Sequence, residues 1–264
     1  MGEHGQGARR KVARMRAAAL PCRLTRGATA VAWALVLCAP LSAWADFAGD
    51  VTRKLQQRSN ELRAASGWKP LGNEPRLRAA ALRFAQYMAE TDRYGHEVDG
   101  RQPAERATAQ GYDHCLTAEN IAFASSARGF QADELAQRLF DGWVQSPPHR
   151  RNLLDGDMTE AGMAVAQSAR SGRYYAVQLL ARPKSLAVRI TLTNRSRDTV
   201  QYELGGERYE LKTNVIRTHD RCRRALLSLT AEGLDAPSAK PIQVTHGERY
   251  RIDDAGDGVR LRQE

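Results

Sequence analysis

The sequence predicts an α+β chain: helices layered about a small central sheet, followed by a small all-β domain. Three observations lead there. Up to Pro183 most apolar residues recur at helical spacing. Within that stretch, Gly162 to Gln167 and Tyr174 to Ala181 are apolar on both faces, as strands covered on both sides must be. After Arg182-Pro183-Lys184-Ser185 the pattern turns to alternation with period two. The expected organisation is a leader over 1–45, a first domain over 46–184 and a β-rich accessory domain over 185–264.

Met1 to Ala45 reads as a signal peptide. A basic run from Arg9 to Arg26 precedes the apolar stretch Ala28 to Pro40, which is too short to span a bilayer comfortably. Ala43-Trp44-Ala45 is a small-x-small cleavage signal that would leave Asp46 as the first mature residue. Arg9-Arg10 lies too far from the apolar run for a good twin-arginine signal, and bulky Leu37 argues against lipidation at Cys38. An uncleaved anchor is the rival reading. The mature chain is expected to be periplasmic or secreted, with no membrane span.

The leader also distorts the charge. The whole chain carries +10, and the leader's seven Arg/Lys and one acid account for +6, leaving +4. That is ordinary solubility charge, and no basic stripe is interleaved with aromatics, so nucleic acid is not an expected partner. Two of the four cysteines, Cys22 and Cys38, leave with the leader. Cys115 and Cys222 remain and are expected to pair in an exported chain. No Cys-x-x-Cys occurs, which argues against a cysteine-based zinc or redox site.

Taken in order, Asp46 to Ser66 reads as a helix with Val51, Leu55 and Leu62 on one face. Asn73-Glu74-Pro75 is a helix start: a capping residue, an acid, and a proline whose missing N–H does no harm. The helix it opens runs to about Arg93 and buries Leu77, Ala81, Phe84, Ala85 and Met88. Pro103 to Gln110 is a shorter helix. Glu119 to Ala124 reads as a strand, and Asp133 to Val144 as a helix with Leu135, Leu139, Phe140 and Trp143 inward. Pro147-Pro148 stop that helix, leaving one or two turns over His149 to Leu154. Seven or eight short strands are expected beyond residue 185, in an antiparallel sandwich or barrel, with Gly205-Gly206 as a hairpin turn.

Three residues carry the candidate chemistry: His96 in Tyr94-Gly95-His96, Glu119 in Ala118-Glu119-Asn120-Ile121-Ala122, and His149 in Ser146-Pro147-Pro148-His149-Arg150-Arg151-Asn152. Two imidazoles and a carboxylate are the minimum for a divalent-metal site or an acid/base pair. Each histidine also has a structural reading, since an imidazole beyond a helix end can simply bond free carbonyls. Ser146 beside His149 invites a nucleophile reading, but the prolines between them form no sharp nucleophile elbow. Asp253-Asp254-Ala255-Gly256-Asp257-Gly258 allows a calcium loop, with an ordinary hairpin loop as the preferred reading.

As an ordered set, Asn60-x-x-Arg63, the His96 segment, Glu119-Asn120-Ile121-Ala122, Trp143-x-x-Ser146-Pro-x-His149-Arg150-x-Asn152, Gly162 and the Tyr174-to-Ala181 strand resemble the CAP superfamily. This is the SCP or cysteine-rich secretory protein domain, here in its bacterial branch, over about Asp46 to Pro183. The resemblance implies a CAP-type α-β-α sandwich with an open cleft faced by His96, Glu119 and His149 and lined by Ser146, Asn120 and Asn152. The family's second acid would fall near Ser146, so the full tetrad is absent. Zn²⁺ or another divalent metal would then be held by His96, His149 and in some arrangements Glu119. The expected function is non-catalytic binding of a lipid, glycan or protein at the envelope or outside it. The alternatives are a metal-assisted, peptidase-like hydrolase with His96, Glu119 and His149 catalytic, and a structural adaptor that docks a partner through the β domain.

Overall fold

The computed structural model describes residues 39–230, 240–256 and 258–264. The signal-peptide reading therefore lies outside the described residues as far as residue 38, and Asp257 of the candidate calcium loop lies outside them too. Ser42–Glu264 form one compact unit. No described helix is long and apolar enough to cross a membrane.

Among the described residues up to Pro183 there are five helices and four strands: α1 (Ala39–Ala65), β1 (Gly72–Asn73), α2 (Pro75–Thr91), α3 (Pro103–Thr108), β2 (His114–Ala124), α4 (Ala132–Gln145), α5 (Pro147–Leu153), β3 (Glu160–Gln167) and β4 (Tyr174–Pro183). The strands form one sheet in the order β1-β3-β4-β2. β3 and β2 both pair antiparallel with β4, while β1 pairs parallel with β3.

Both faces of this sheet are covered, which explains strands apolar on each side. One face packs Val51 and Leu55 of α1, Leu135, Leu139 and Trp143 of α4, and Leu153 of α5. The other packs Leu77, Ala81, Phe84, Ala85 and Met88 of α2 with Ala107 of α3. The result is an α-β-α sandwich. Gly162 lets α2 approach the sheet: a Cβ there would lie 2.0 Å from the Arg78 nitrogen.

Some boundaries differ from the sequence reading for local reasons. α2 is capped by Glu74, whose carboxylate accepts from the Arg76 N–H at 3.0 Å, whereas Asn73 belongs to β1 and pairs with Ala161. α4 stops at Ser146, whose extended backbone is what a residue before proline adopts. The same Ser146 caps α5, with Pro147 at its first turn, so the prolines start a helix as well as ending one. α1 runs unbroken through Ala45-Asp46, and Trp44 stacks on Phe47 at 5.5 Å between ring centroids.

Beyond a 3₁₀ turn at Lys184–Leu186, all described elements are strands: β5 (Val188–Asn194), β6 (Val200–Leu204), β7 (Glu207–Leu211), β8 (Ile216–Arg221), β9 (Leu226–Thr230), β10 (Ile242–Gln243), β11 (Arg249–Ala255) and β12 (Gly258–Gln263). They form two four-stranded sheets, β10-β9-β6-β7 and β12-β11-β5-β8. Between the sheets lie Ile190, Leu192, Tyr202, Leu204, Leu227, Leu229, Tyr250 and Ile252. This is an open sandwich, and not wholly antiparallel, because β11 and β5 run parallel. Gly205 and Gly206 make the β6–β7 hairpin with φ of 61° and 84°, the left-handed values a two-residue turn needs. β8 went unread because Ile-Arg-Thr-His-Asp-Arg is polar at nearly every position; it is an edge strand. In the Asp253-to-Gly258 hairpin, Asp253 pairs with Arg251 and Asp254 with Arg197, so both carboxylates are engaged within the sandwich.

Cys115 and Cys222 form a disulfide, with Cα atoms 5.3 Å apart. It ties the start of β2 to the turn between β8 and β9. From that turn Arg223 reaches Asp155 at 2.8 Å and Arg224 reaches Asp157 at 3.0 Å, on the loop that follows α5.

Candidate functional site

The site begins with how α5 is held, since α5 carries His149 and is too short to stand alone. Asn152 donates to the Glu119 carbonyl at 3.2 Å and to Asn120 Oδ1 at 2.9 Å. Asn120 in turn donates to the His149 carbonyl at 3.2 Å and to Gln178 Oε1 at 2.8 Å, and Gln178 donates to Ser59 Oγ at 3.2 Å. This buried amide chain fastens α5 to β2, β4 and α1. Arg63, 1% exposed, secures the far end by donating to the carbonyls of Lys69, Leu153, Asp155 and Met158. Burial holds its pKa below the usual arginine value. Asn60 pairs with Leu71 through both its amide oxygen and its nitrogen. Asn60 and Arg63 are thus fixtures of the scaffold.

His96 lies in the segment between α2 and α3. Its Nδ1 is 2.8 Å from Glu119 Oε1. The His96 side chain is 47% exposed and that of Glu119 only 1%. The expectation that all three residues face solvent is therefore corrected: Glu119 sits beneath His96. Arg106 Nη2 donates to both its oxygens there, at 2.9 and 2.8 Å, which offsets the cost of burying the carboxyl group. Arg106 is itself buried. It also donates to Asp99 at 2.8 Å and to the carbonyls of Arg101 and His96, with its guanidinium carbon 3.6 Å from the Phe84 ring centroid.

In a neutral ring, a carboxylate on Nδ1 selects the Nδ1–H tautomer, which leaves the Nε2 lone pair free. Across the cleft the His149 ring lies 6.3 Å from that of His96, centroid to centroid. Burial first, and then the neighbouring His96, depress the His149 pKa, so this imidazole is neutral at pH 7. Ser146 is half-buried at the α4–α5 junction, where its carbonyl accepts from the Arg150 N–H at 2.8 Å. Among the described residues no hydrogen bond joins its hydroxyl to His149.

Tyr94 and Phe123 form an exposed rim near His96. Their rings meet edge to face at 4.9 Å, the Tyr94 hydroxyl donates to the Ile121 carbonyl, and Arg173 lies over Phe123 at 5.4 Å. The sequence reading missed Arg106, Gln178 and this rim. A buried arginine has no local signature that separates it from a solvated one.

Two imidazoles on one Zn²⁺, with Zn–N bonds near ~2 Å, place their centroids about 5–6 Å apart. The observed 6.3 Å needs only a small adjustment. Glu119 does not complete such a shell, because its oxygens are taken by Arg106 and His96. Accordingly, among the described residues no three His, Cys, Asp or Glu side chains stand as a metal-holding group. What the donor set fits is an ion held by two histidines, with Glu119 behind one of them.

Comparison with known proteins agrees with this architecture. The CAP family model, described as the cysteine-rich secretory protein family, matches residues 56–180. No curated protein matches the sequence. Solved structures similar to it include an outer surface protein of Borrelia burgdorferi at 20% identity and a TM-score of 0.44, covering 51% of this chain and 93% of that one. An extracellular SCP-domain protein of Bacillus anthracis gives 20%, 0.43, and coverage of 51% and 41%. A cysteine-rich secretory protein of Staphylococcus aureus gives 21%, 0.39, and coverage of 51% and 40%. This chain thus spans well under half the length of the last two, and likenesses this distant say nothing of activity. The family match, laid over a sheet sandwiched between helices with His96 and His149 at its edge, makes residues 56–180 a CAP domain of the cysteine-rich secretory protein family.

Proposed function

We propose that this chain is an exported CAP-domain protein that binds an envelope or extracellular ligand through the His96–His149 cleft without turning it over. The observation that carries this reading is the state of Glu119. A general base must offer a free lone pair to water or substrate. Glu119 is buried, and both its oxygens are occupied by Arg106 and His96. It orients His96 instead. Ser146, without a base on its hydroxyl, is not an activated nucleophile either.

His96 Nε2 and His149 are the residues that would hold a divalent ion, with water completing the shell. Such an ion would supply a Lewis-acidic docking point for oxygen donors on a lipid headgroup, a glycan or a protein carboxylate. The Tyr94–Phe123 rim would supply the apolar contact beside it. Export is supported by the leader pattern over 1–45 and by the Cys115–Cys222 disulfide, a bond kept in oxidising compartments. Residues 46–184 and 185–264 are read as two domains joined by that disulfide.

The hydrolase reading keeps one observation in its favour, the neutral His149, which is able to take a proton at pH 7. Calorimetric titration of the disulfide-bonded chain with Zn²⁺, alongside turnover assays on peptide, ester and glycan substrates, separates the two. The expected result is one ion per chain, binding lost in His149→Ala, and no turnover. Turnover that disappears in His149→Ala would establish the hydrolase instead. Glu119→Gln is expected to weaken the ion roughly 10–100-fold, as loss of a carboxylate behind a ligating histidine does.

A further inference from the structure

Among the described residues, the second sandwich is open along one side. β7 and β8 are the last strands of their two sheets, and no strand pairing joins them. What bridges them is a cluster of side chains that the histidine cleft does not use. Tyr202 on β6 is fully buried, with its hydroxyl 2.6 Å from His219 Nε2 on β8. Tyr209 on β7 stacks on Tyr202 at 5.3 Å and meets the His219 ring edge-on at 4.7 Å. Arg221 on β8 donates to Glu207 at 3.0 Å and to the Tyr209 hydroxyl at 3.1 Å. The charged groups facing His219 are therefore Arg217 and Arg221 on its own strand and Glu207 on β7, two cations against one carboxylate. Ile190, opposite it on β5, carries no charge, and Asp220 is held by Arg189.

The hydrogen bonding in this cluster requires a neutral His219. Arg217, which can only donate, lies beside the Tyr202 oxygen as a second donor. The Tyr202 proton then goes to His219 Nε2, which accepts only while it carries no proton itself. Burial raises the Tyr202 pKa, so the hydroxyl keeps that proton. Protonating His219 would aim two donors at one oxygen and leave the Tyr202 hydroxyl proton buried without an acceptor, which is costly. It would also set three cations against Glu207. Burial first, then Arg217 and Arg221, hold the His219 pKa down, in line with that conflict.

We propose that His219 is an acid-released latch on this open edge: once protonated, it lets the β6–β7 hairpin part from β8 and uncovers Tyr202 and Leu204 between the sheets. Both residues are fully buried while the edge is closed. β8 is tied at its end, because Cys222 follows Arg221 and is bonded to Cys115, so the hairpin that turns on Gly205-Gly206 is the part that lifts. In the open state His219 is free to titrate near the ordinary ~6.5. The edge is thus sealed above about pH 6.5, and the closed-to-open ratio falls by at most about tenfold per pH unit as pH drops from there toward the depressed value. The latch does not depend on what the His96–His149 cleft binds.

The test places a single free thiol at the mouth, Leu204→Cys in the disulfide-bonded chain, and follows its alkylation by iodoacetamide at pH 7 and pH 5. Rates are corrected for the thiolate fraction with a small thiol. Leu211→Cys serves in its place if that chain does not fold. The corrected rate is expected to rise about three- to tenfold at the lower pH. It should depend only weakly on dilute urea, as a local opening does, whereas global unfolding carries the full urea slope of the domain. His219→Gln can still accept from Tyr202 and does not titrate, so in that background the rate should not respond to pH. Arg217→Gln removes the competing donor and one cation, and should lose most of the response although His219 is present. The proposal is overturned if the parent rate does not rise, if the rise carries the full urea slope, or if either variant responds as the parent does.

Discussion

The two parts of this molecule bury polar groups for different purposes. Residues 39–183 bury Arg63, Arg106, Glu119, Asn120 and Gln178, which bond across elements far apart in sequence, along with Ser59 and Ser168. Among the described residues, 188–263 bury Thr193, Asn194, Ser196 and Ser228, none of them ionisable. There, Asn194 donates to the carbonyls of Asp198 and Leu211 and accepts from Ser196, closing the turn out of β5. Polar groups in the first part hold a surface in place. In the second they finish the backbone. A buried Arg–Glu pair such as Arg106–Glu119 adds little net stability and demands costly satisfaction, so its presence, among the described residues, in only one part marks where a specific surface geometry is needed.

The disulfide is the strongest single tie between the two parts. It closes a loop with a sequence separation of 107, and in the chain-entropy model such a loop contributes about 4–5 kcal/mol. Cys115→Ser/Cys222→Ser should lose about that much in urea denaturation. It should also split one transition into two, because Arg223–Asp155 and Arg224–Asp157 are largely surface pairs worth at most about 1 kcal/mol each. A single transition in the disulfide-free chain would show that the two parts are one cooperative body, and the contrast between them would lose its basis.

Next in size are the buried polar residues themselves. Arg63→Met removes donors from four carbonyls and should cost about 3–4 kcal/mol, read as a shift of the first transition. Asn194→Ala strands two carbonyls and two donors of Ser196, and should cost about 1–3 kcal/mol in the second transition. If Asn194→Ala proves the costlier, the β part leans on its polar interior more than the contrast allows.

The same contrast explains what could be read from the sequence. Periodicity reports which side of an element is apolar, so α2, α4, β3, β4 and most β strands were legible, as were Val188, Ile190 and Leu192 facing inward along β5. β8 was not, because an edge strand with polar residues on both faces has no alternation to show. At the site, the ordered motif set located His96, Glu119 and His149. It did not show that Glu119 lies buried, since that depends on Arg106, whose pairing is a tertiary fact. A carboxylate and an arginine thirteen residues apart read as two solvated charges until the fold brings them within 2.8 Å.

The smallest expected effect is a pH dependence confined to the second part. His219 on β8 faces Tyr202 of the other sheet, its Nε2 2.6 Å from the tyrosine oxygen, with Tyr209 edge-on at 4.7 Å. Burial, then Arg217 and Arg221, hold its pKa below the ordinary histidine value, and Glu207 opposes them only weakly. The unfolded chain then binds a proton more readily than the folded one. Stability is full above the unfolded pKa of about 6.5 and falls as pH drops from there toward the depressed folded value. The loss should be modest, because the imidazole is only half-buried. His219→Gln keeps a polar partner for Tyr202 but does not titrate. In the Cys115→Ser/Cys222→Ser background, the second transition of the parent should therefore weaken between pH 7 and 5 relative to that of His219→Gln. The first transition should respond identically in both chains, because His149, its own histidine of depressed pKa, is present in each. Parallel second transitions across that pH range would mean that His219 titrates alike in the folded and unfolded chains, and that the polar cluster between the two sheets is solvated after all.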